Sequence, residues 1–398
     1  RAYTPIIDLI RQGINLASGK NWWQALNPHW LSEISILLPE LSDSHPDLPP
    51  PQPVGGFGAQ NRFYEGICQM LTALAKGASP GFIFIDNLEW GDESTLDLLA
   101  YLARRLHGRP VFILATWRTE TTPVTGILDQ MLNDAVRQGY GSRISLPTLN
   151  STQALELIDR AAKNDPHLPQ TFINQLVEES DGLPFMLVEY LQAALEGEIP
   201  SQSGAENWPV PAGLKGLLQS RLALLSGSAS QILQAAAVIG RTFDVDLLQS
   251  TSGRSEEEII LGIEELLERD LIREEFDLAA FGAPVLRFNF KHEQVRALVL
   301  EEISLIRRRL LHRRTAEVLE EMQRLKSLPL QSGQIASHYQ HAGSLEKAAY
   351  HYFKAGLEDH SIHANADALT HLKSALALGY PQKSAVLVEI GDLYTLKG

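Results

Sequence analysis

Side chains that could bind a metal follow a short apolar run in the first third of the chain. Asp86 comes directly after the run Phe82–Ile85, and a polar turn then opens a helical pattern. A carboxylate at the carboxyl end of a parallel strand faces the crevice where α/β sheets bind ligands. The pattern predicts that Asp86 is a magnesium ligand; the alternative is that it only caps the turn.

The residues after Asp86 bear on whether such a site could catalyse hydrolysis. Hydrolysis needs a second carboxylate that orients or deprotonates the attacking water. Asn87 can accept a hydrogen bond but cannot take a proton at neutral pH, so Glu89 is the candidate if its side chain turns toward the site. Asp92 directly precedes the helical pattern and is predicted to be its N-cap.

A cation follows a second apolar run. Arg118 comes after Val111–Thr116, and from the end of a neighbouring strand its guanidinium could reach a terminal phosphate or sense its loss. On this signal alone, a solvated loop arginine is the simpler interpretation.

No glycine-rich phosphate loop accompanies these side chains. Neither G-x₄-G-K-[ST] nor G-x-G-x-x-G occurs, and the glycine cluster at 55–58 has no following Lys-Ser/Thr and no preceding strand. The first residue is arginine, not methionine. We therefore expect the chain to be part of a longer protein.

Three further residues stand at boundaries between predicted elements. Gly182 and Pro184 lie between two helical patterns, and proline is common at the start of a helix. His292 stands where a β-prone run meets a helix, a position at which a lone histidine usually caps or packs.

The elements that would position these residues begin with a sheet. Three short apolar runs, Phe82–Ile85, Val111–Thr116 and Ile144–Leu146, are predicted to be strands, with a helix between the first two. Strand, helix and strand at this spacing indicate a parallel sheet, and nearly continuous apolar runs indicate strands covered on both faces.

From about residue 150 the pattern is helical. Apolar residues mark one face of the segments 151–163, 168–197, 213–225, 229–239, 255–270 and 293–323. Two β-prone runs within 271–292 interrupt them, and helices followed by a small hairpin suggest a winged-helix module. Ala368, Leu372, Ala375 and Pro381 have tetratricopeptide-repeat spacing, as do Ile390, Gly391 and Tyr394 after them.

Composition limits the function classes. A length of 398 residues allows two to four domains, and a net charge of −14 argues against general binding to nucleic acid or to anionic membranes. The single cysteine, Cys68, excludes an internal disulfide and fits a reducing compartment. No apolar run approaches the ~18 residues of a membrane span, so we expect a cytoplasmic protein.

Taken in order, these segments resemble the STAND class of signalling P-loop ATPases. More narrowly, they look like bacterial regulators of the large LuxR type and the antibiotic-regulatory-protein type. The resemblance covers about residues 60–398. It is carried by FIFIDNLEWGDESTLDLLAYLARRL, ATWR, ESDGLPFMLVEYL, VPAGLKGLLQSRLALLS with QAAAVIGRTFDVDLL, FNFKHEQVR and the repeats.

The resemblance implies an α/β fold followed by mostly α structure. Residues 1–149 would be a partial P-loop ATPase core with a linker at about 42–60, and residues 150–207 a helical lid. Residues 208–303 would form a winged-helix domain, and 304–398 a solenoid of helical repeats similar to tetratricopeptide repeats.

The resemblance also implies roles for the residues named above. Asp86 would be the Walker B acid that holds Mg²⁺, and Arg118 the sensor arginine. Gly182 and Pro184 would form the turn that packs against adenine, and His292 would contact the β-phosphate of bound ADP.

Proteins of this class act as switches. ADP holds the domains closed, a protein or small-molecule inducer on the repeats opens them, and ATP favours self-association. Here the missing phosphate loop and Asn87 depart from the pattern, so we expect weak or no binding of ATP and ADP by this chain, and slow or absent hydrolysis.

Two rival functions stay open. One is a scaffold in which a degenerate ATPase core supports a protein-binding solenoid. The other is a DNA-binding winged-helix protein. The acidic side chains of the segment 255–270 would repel a DNA groove, and we expect no direct DNA binding.

Overall fold

In the residues that it describes, the computed structural model shows a mostly helical protein with two small β-sheets. It describes residues 2–17, 22–51, 58–75, 80–118, 123–162, 170–180, 182–195, 213–277, 285–326 and 331–397. Within these ranges, no helix combines the length and the apolar character needed to cross a membrane.

The N-terminal region surrounds a parallel pair of strands. Its elements are α1 (Thr4–Leu16), a 3₁₀ helix (Trp22–Ala25), α2 (Pro28–Ile34), α3 (Glu40–Ser44), α4 (Ala59–Leu74), β1 (Gly81–Ile85), a 3₁₀ helix (Leu88–Trp90), α5 (Glu93–Arg105), β2 (Val111–Ala115) and α6 (Pro123–Arg137). Strands β1 and β2 pair in parallel with Gly81 opposite Val111, so the predicted strand–helix–strand unit is confirmed. Asp92 caps α5 as predicted, because its side chain accepts a hydrogen bond from the Thr95 amide at 2.7 Å.

Two predictions about this sheet are wrong. Residues 144–146 form no strand, and Ile144 and Leu146 are 77% and 89% exposed. An apolar run becomes a strand only where another strand pairs with it, and these residues have no strand partner in the described ranges. The two strands that do form are buried on one face only, since Ile83 and Ile85 face the core while Phe82 and Phe84 are exposed.

A three-helix core follows the N-terminal region. The next elements are α7 (Ser151–Ala161), α8 (Gln170–Glu179), α9 (Pro184–Leu195) and α10 (Gly213–Ala223). Ile158, Phe172 and Tyr190 pack together in the core of α7, α8 and α9. The predicted helical segment 168–197 is thus two helices that are separated at Gly182.

The third region combines four helices with an antiparallel sheet. Its elements are α11 (Gly227–Ile239), β3 (Thr242–Phe243), α12 (Val245–Ser252), α13 (Glu256–Glu268), β4 (Ile272–Asp277), β5 (Val285–Phe290) and α14 (Glu293–Glu302). The two predicted β-prone runs pair as β4 and β5, and β3 joins β5 on its other edge. The residues between β4 and β5, where the sequence predicts a Gly-Pro turn, lie outside the described ranges.

The last region is a row of five helices. They are α15 (Leu305–Lys326), α16 (Ser332–Ala342), α17 (Leu345–Ser361), α18 (Asn365–Ala377) and α19 (Lys383–Lys397). Each helix packs against the next one in the chain. The predicted segment 293–323 is divided between α14 and α15, because Ile303 adopts an extended conformation after the last turn of α14.

One turn of this last region enters the N-terminal core. We call residues 362–364, between α17 and α18, the 362–364 turn. Ile362 and Ala364 are buried in the hydrophobic cluster of the N-terminal helices. The His363 carbonyl accepts hydrogen bonds from the Tyr3 hydroxyl at 3.0 Å and from Gln60 Nε2 at 2.9 Å. Residues near the start of the chain therefore contact the turn between α17 and α18 directly.

Candidate functional site

Asp86 lies at the carboxyl end of β1, where the sequence predicts a metal ligand. Its side chain is exposed and oriented by two hydrogen bonds. Thr116 Oγ1 donates to Asp86 Oδ1 at 2.5 Å, and Asn87 Nδ2 donates to Asp86 Oδ2 at 2.8 Å. Each carboxylate oxygen keeps a lone pair for a further ligand.

The turn after Asp86 is held by the neighbouring strand. Asn87 has φ 53° and ψ 51°, a left-handed conformation that asparagine tolerates better than most residues. Its backbone amide donates to Thr116 Oγ1 at 3.0 Å, and the Leu88 amide donates to the Thr116 carbonyl at 2.8 Å. Thr116 therefore fixes both the carboxylate and the backbone that presents it.

Glu89 and Arg118 form a pair beside this turn. The Glu89 side chain is nine-tenths buried, and neither of its carboxylate oxygens has a hydrogen bond to a described residue. Glu89 Oε1 lies 3.7 Å from Arg118 Nε, and the Arg118 side chain is 44% exposed. The two residues that the sequence assigns to hydrolysis and to phosphate sensing therefore contact each other, and neither contacts Asp86 through a hydrogen bond or an ion pair.

These residues fit a magnesium ion of the kind that nucleotides carry. Mg²⁺ keeps several waters and is usually bound through one or two carboxylates together with substrate phosphates. Asp86 offers one exposed and fixed carboxylate. Over the described ranges, no group of three His, Cys, Asp or Glu side chains forms an all-protein metal cage, and such an ion does not require one.

Gly182 makes a close backbone contact. It has φ +70°, and a Cβ atom at this position would lie 2.1 Å from the Leu149 carbonyl oxygen. The Leu149 amide donates to the Gly182 carbonyl at 2.8 Å. Only glycine fits here, and Pro184 then begins α9 two residues later. The turn is thus held against the segment that precedes α7.

His292 lies beside the same helix α9. Its ring centroid is 4.2 Å from that of Phe185, and its Nε2 is 3.7 Å from Glu189 Oε1. Glu189 in turn forms a buried ion pair with Arg221 Nη1 at 2.5 Å. Burial, helped by nearby positive charge from Lys291, Arg221 and Arg273, lowers the pKa of His292 to about 4. The imidazole is therefore neutral at pH 7.

The predicted site residues thus form two groups. Asp86, Asn87, Glu89 and Arg118 gather at the end of the parallel sheet, while Gly182, Pro184 and His292 gather around α9. In the part of the chain that the structure describes, no hydrogen bond or ion pair joins the two groups.

Sequence reasoning missed three residues that organise these groups. Thr116 holds Asp86, and Glu189 and Arg221 form the ion pair beside His292. The strand register could have revealed Thr116, since Ile85 pairs with Ala115 and the next residues of both strands must then be neighbours. Sequence spacing gives no comparable signal for Glu189 and Arg221, which lie 32 residues apart.

Comparison with known proteins agrees with the chemistry of the first group. Residues 3–114, which contain Asp86, all of β1 and all but the last residue of β2, match the family model of the AAA ATPase domain. The predicted resemblance to P-loop ATPases is therefore confirmed for this part of the chain.

Two proteins show likeness over more of the chain. An uncharacterized protein of Rhizobium meliloti (strain 1021) is 23% identical over 327 residues, which cover 80% of this chain and 30% of that protein. A crystal structure of a STAND (signal transduction ATPase with numerous domains) protein with a tetratricopeptide repeat sensor, from Pyrococcus horikoshii, aligns with 86% of this chain and 62% of that one. The TM-score is 0.36 and the identity 15%, which is too low to establish a common fold.

Proposed function

We propose that the chain is the ATPase and regulatory part of a nucleotide-dependent signalling switch, of the type found in bacterial STAND transcription regulators. The observation that carries this proposal is the oriented Asp86 carboxylate at the end of a parallel strand, within the residues that match the AAA ATPase domain. A fixed carboxylate at this position is what a magnesium–nucleotide complex needs.

The proposed roles at the sheet follow from the contacts there. Asp86 would hold the ion, with Thr116 and Asn87 keeping its oxygens in place. Bound Mg²⁺ would neutralise part of the phosphate charge. Glu89, the candidate base, lies 3.7 Å from Arg118 Nε. Asn87 stands where a second acid would be needed, so we propose that this site senses nucleotide more than it turns it over.

The second group of residues, around α9, is proposed to bind the rest of the nucleotide. We assign the Gly182–Pro184 turn to adenine and His292 to the β-phosphate of ADP. The domain limits proposed from the sequence, 1–149, 150–207, 208–303 and 304–398, place these residues in the lid and the winged helix. An inducer would act on the repeats of the last region, and self-association would follow from ATP.

Calorimetric titration with Mg-ATP and Mg-ADP tests this function. The sequence contains no phosphate loop, and the amides and lysine of that loop supply most phosphate affinity in such sites. We therefore expect a dissociation constant weaker than about 0.1 mM. Asp86→Asn should remove the magnesium-dependent part of the remaining binding, while Asp134→Asn, on the exposed face of α6, should not.

Each outcome of the titration has a meaning. Equal magnesium-dependent binding by the wild type and Asp86→Asn would overturn the role of Asp86. Micromolar binding by the wild type would contradict the weak affinity that we derive from the missing loop.

A scaffold function is the second candidate, and a specific observation favours it. Helices α17 and α19 carry large apolar side chains that are at least half exposed, namely Tyr350, Leu387, Val388 and Tyr394. Exposed apolar side chains on a helical array are suited to binding a protein partner. A scaffold predicts partner binding that is the same with and without nucleotide, and a switch predicts that nucleotide changes it.

A further inference from the structure

Helix α13 presents an acidic and aliphatic face to solvent. On this face Ile260 is about half exposed and Leu261 more than half, and Glu264 and Glu268 follow at exposed positions. Within the described ranges, neither glutamate has an ion-pair partner. We call these four residues the acidic face. It combines two apolar side chains that water surrounds with two negative charges that no cation compensates.

The start of α15 presents the opposite charge. Leu305 and Ile306 are 63% and 85% exposed, and Arg309 and Arg313 follow at exposed positions. In the part of the chain that the structure describes, neither arginine forms an ion pair. We call these four residues the basic face. Because the chain has a net charge of −14, an exposed basic face is an exception on its surface.

The two faces have the same spacing along their helices. In each, two adjacent aliphatic residues are followed three residues later by a charge, and a second charge of the same sign comes four residues after the first. Helical residues three and four apart lie on one side of the helix, so the charges continue the stripe that the aliphatic residues begin. If the two helices lie side by side and parallel, with their aliphatic pairs in contact, each glutamate of the acidic face is beside an arginine of the basic face.

A second copy of the chain supplies the complement that each face lacks. Both faces are open within one copy, so they do not cover each other there. We propose that the acidic face of one copy binds the basic face of a second copy. Such a contact joins two different surfaces, so each pair keeps one unused face of either kind and further copies can add head to tail.

The composition of the faces determines the strength of this contact. Four aliphatic side chains and two ion pairs form a small interface, and small interfaces are typical of weak, transient association. Exposed ion pairs add little affinity, but like charges placed side by side repel and so exclude the wrong pairings. We therefore expect a dissociation constant on the order of 0.1 mM. The contact uses neither group of the candidate site, so it goes beyond the proposed function and needs no nucleotide.

Sedimentation equilibrium without nucleotide tests the contact. The weight-average mass of the wild type should rise above that of one copy as the protein concentration approaches about 0.2 mM. Glu264→Arg makes the acidic face basic, and Arg309→Glu makes the basic face acidic. Each variant alone brings like charges together, so its dissociation constant should increase at least about tenfold. Both positions are exposed, so the urea midpoints of the variants should equal that of the wild type.

An equimolar mixture of the two variants makes the test specific for these faces. The intact acidic face of the Arg309→Glu copy can bind the intact basic face of the Glu264→Arg copy. The mixture should therefore associate although neither variant does so alone. Arg104→Glu on α5 and Glu346→Arg on α17 are the matched controls, because they make the same changes of charge at exposed positions outside both faces. Each control should associate as the wild type does.

The outcomes separate this inference from the proposed function. A wild type that stays monomeric over the whole concentration range overturns the contact between copies and leaves the two faces to other proteins. A mixture that stays monomeric while the wild type associates shows that copies meet through other surfaces, which also overturns it. The measurement uses neither Asp86 nor magnesium, so failure of the Asp86 titration leaves this result unchanged.

Discussion

At the scale of single residues, Thr116 determines the geometry of the candidate magnesium site. Its hydroxyl donates to the Asp86 carboxylate and accepts from the Asn87 amide, and its backbone is paired with Ile85 and Leu88. The acid that a nucleotide site would use is therefore oriented from the neighbouring strand. A site that is oriented before its ligand arrives loses less conformational entropy on binding.

Replacement of Thr116 by valine should measure this effect. Valine keeps the shape but loses the hydroxyl, so one hydrogen bond to a carboxylate and one from an amide disappear. We expect a loss of about 1 kcal/mol in the free energy of unfolding, at an unchanged m-value, in urea denaturation.

Thr370→Val is the control for this measurement. The Thr370 hydroxyl donates only to the Ala366 carbonyl within α18, so its loss should cost less. Equal effects of the two substitutions would show that the Thr116 hydroxyl has no special role.

At the scale of elements, the sequence predicted structure well wherever the signal was local. The strand–helix–strand unit, the Asp92 cap and the pair of β-prone runs near residue 280 depend on periodicity and turn chemistry, and the structure contains them. The run at Ile144–Leu146 has the same local character but forms no strand, because pairing depends on a distant partner. The Glu189–Arg221 pair was missed for the same reason.

Helices α15 and α16 are joined by a cluster of three histidines. His312 Nδ1 and His338 Nδ1 are 2.9 Å apart, so one of them donates and the other accepts, and His341 stacks on the His312 ring. Burial is the main cause that lowers the pKa of His338 to about 3 and that of His312 to about 4. The positive charge of Arg296 lowers both values further, and Arg308 also lowers that of His312. A proton on both rings would break this hydrogen bond.

The histidine cluster should make stability depend on pH. The folded-state pKa of His338 lies below its ordinary value of 6.5, so the unfolded chain binds more protons between about pH 6.5 and pH 3. Stability is therefore lost as pH falls through this window. At pH 5 the loss from His338 should be about 2 kcal/mol relative to pH 7.

Urea unfolding at pH 7 and pH 5 checks this prediction. His338→Gln should reduce the difference between the two pH values, while His107→Gln, an exposed residue before β2, should leave it unchanged. A wild-type protein that is equally stable at both pH values would contradict the effect of burial on His338.

At the scale of the whole molecule, the 362–364 turn connects the last helices to the N-terminal core. Ile362 is 2% exposed, and the Ser94 amide at the start of α5 donates to Asp367 Oδ2 at 3.0 Å. Helix α5 begins shortly after Asp86, so the helical row contacts the element that follows the candidate site. A rearrangement of helices α15–α19 can therefore be transmitted to α5 through these contacts.

Ile362→Ala should weaken this connection. Loss of a buried isoleucine side chain typically costs 2–5 kcal/mol, and here we expect a value near the lower end of that range. Because the turn supports α18 against α5, hydrogen exchange at the Ser94 amide should become faster.

Leu387→Ala provides the comparison, since Leu387 is 55% exposed on α19 and its loss should change neither quantity. Unchanged exchange at Ser94 in Ile362→Ala would show that the 362–364 turn does not support α5.

The same turn has a consequence for the order in which the protein is made. Tyr3 leaves the ribosome 360 residues before His363, the residue that its hydroxyl binds. At 5–20 residues per second, the interval is about 20 to 70 s. Throughout that time the apolar surface that later receives Ile362 and Ala364 faces water on the nascent chain. The N-terminal helices can therefore complete their hydrophobic core only after the 362–364 turn has been translated.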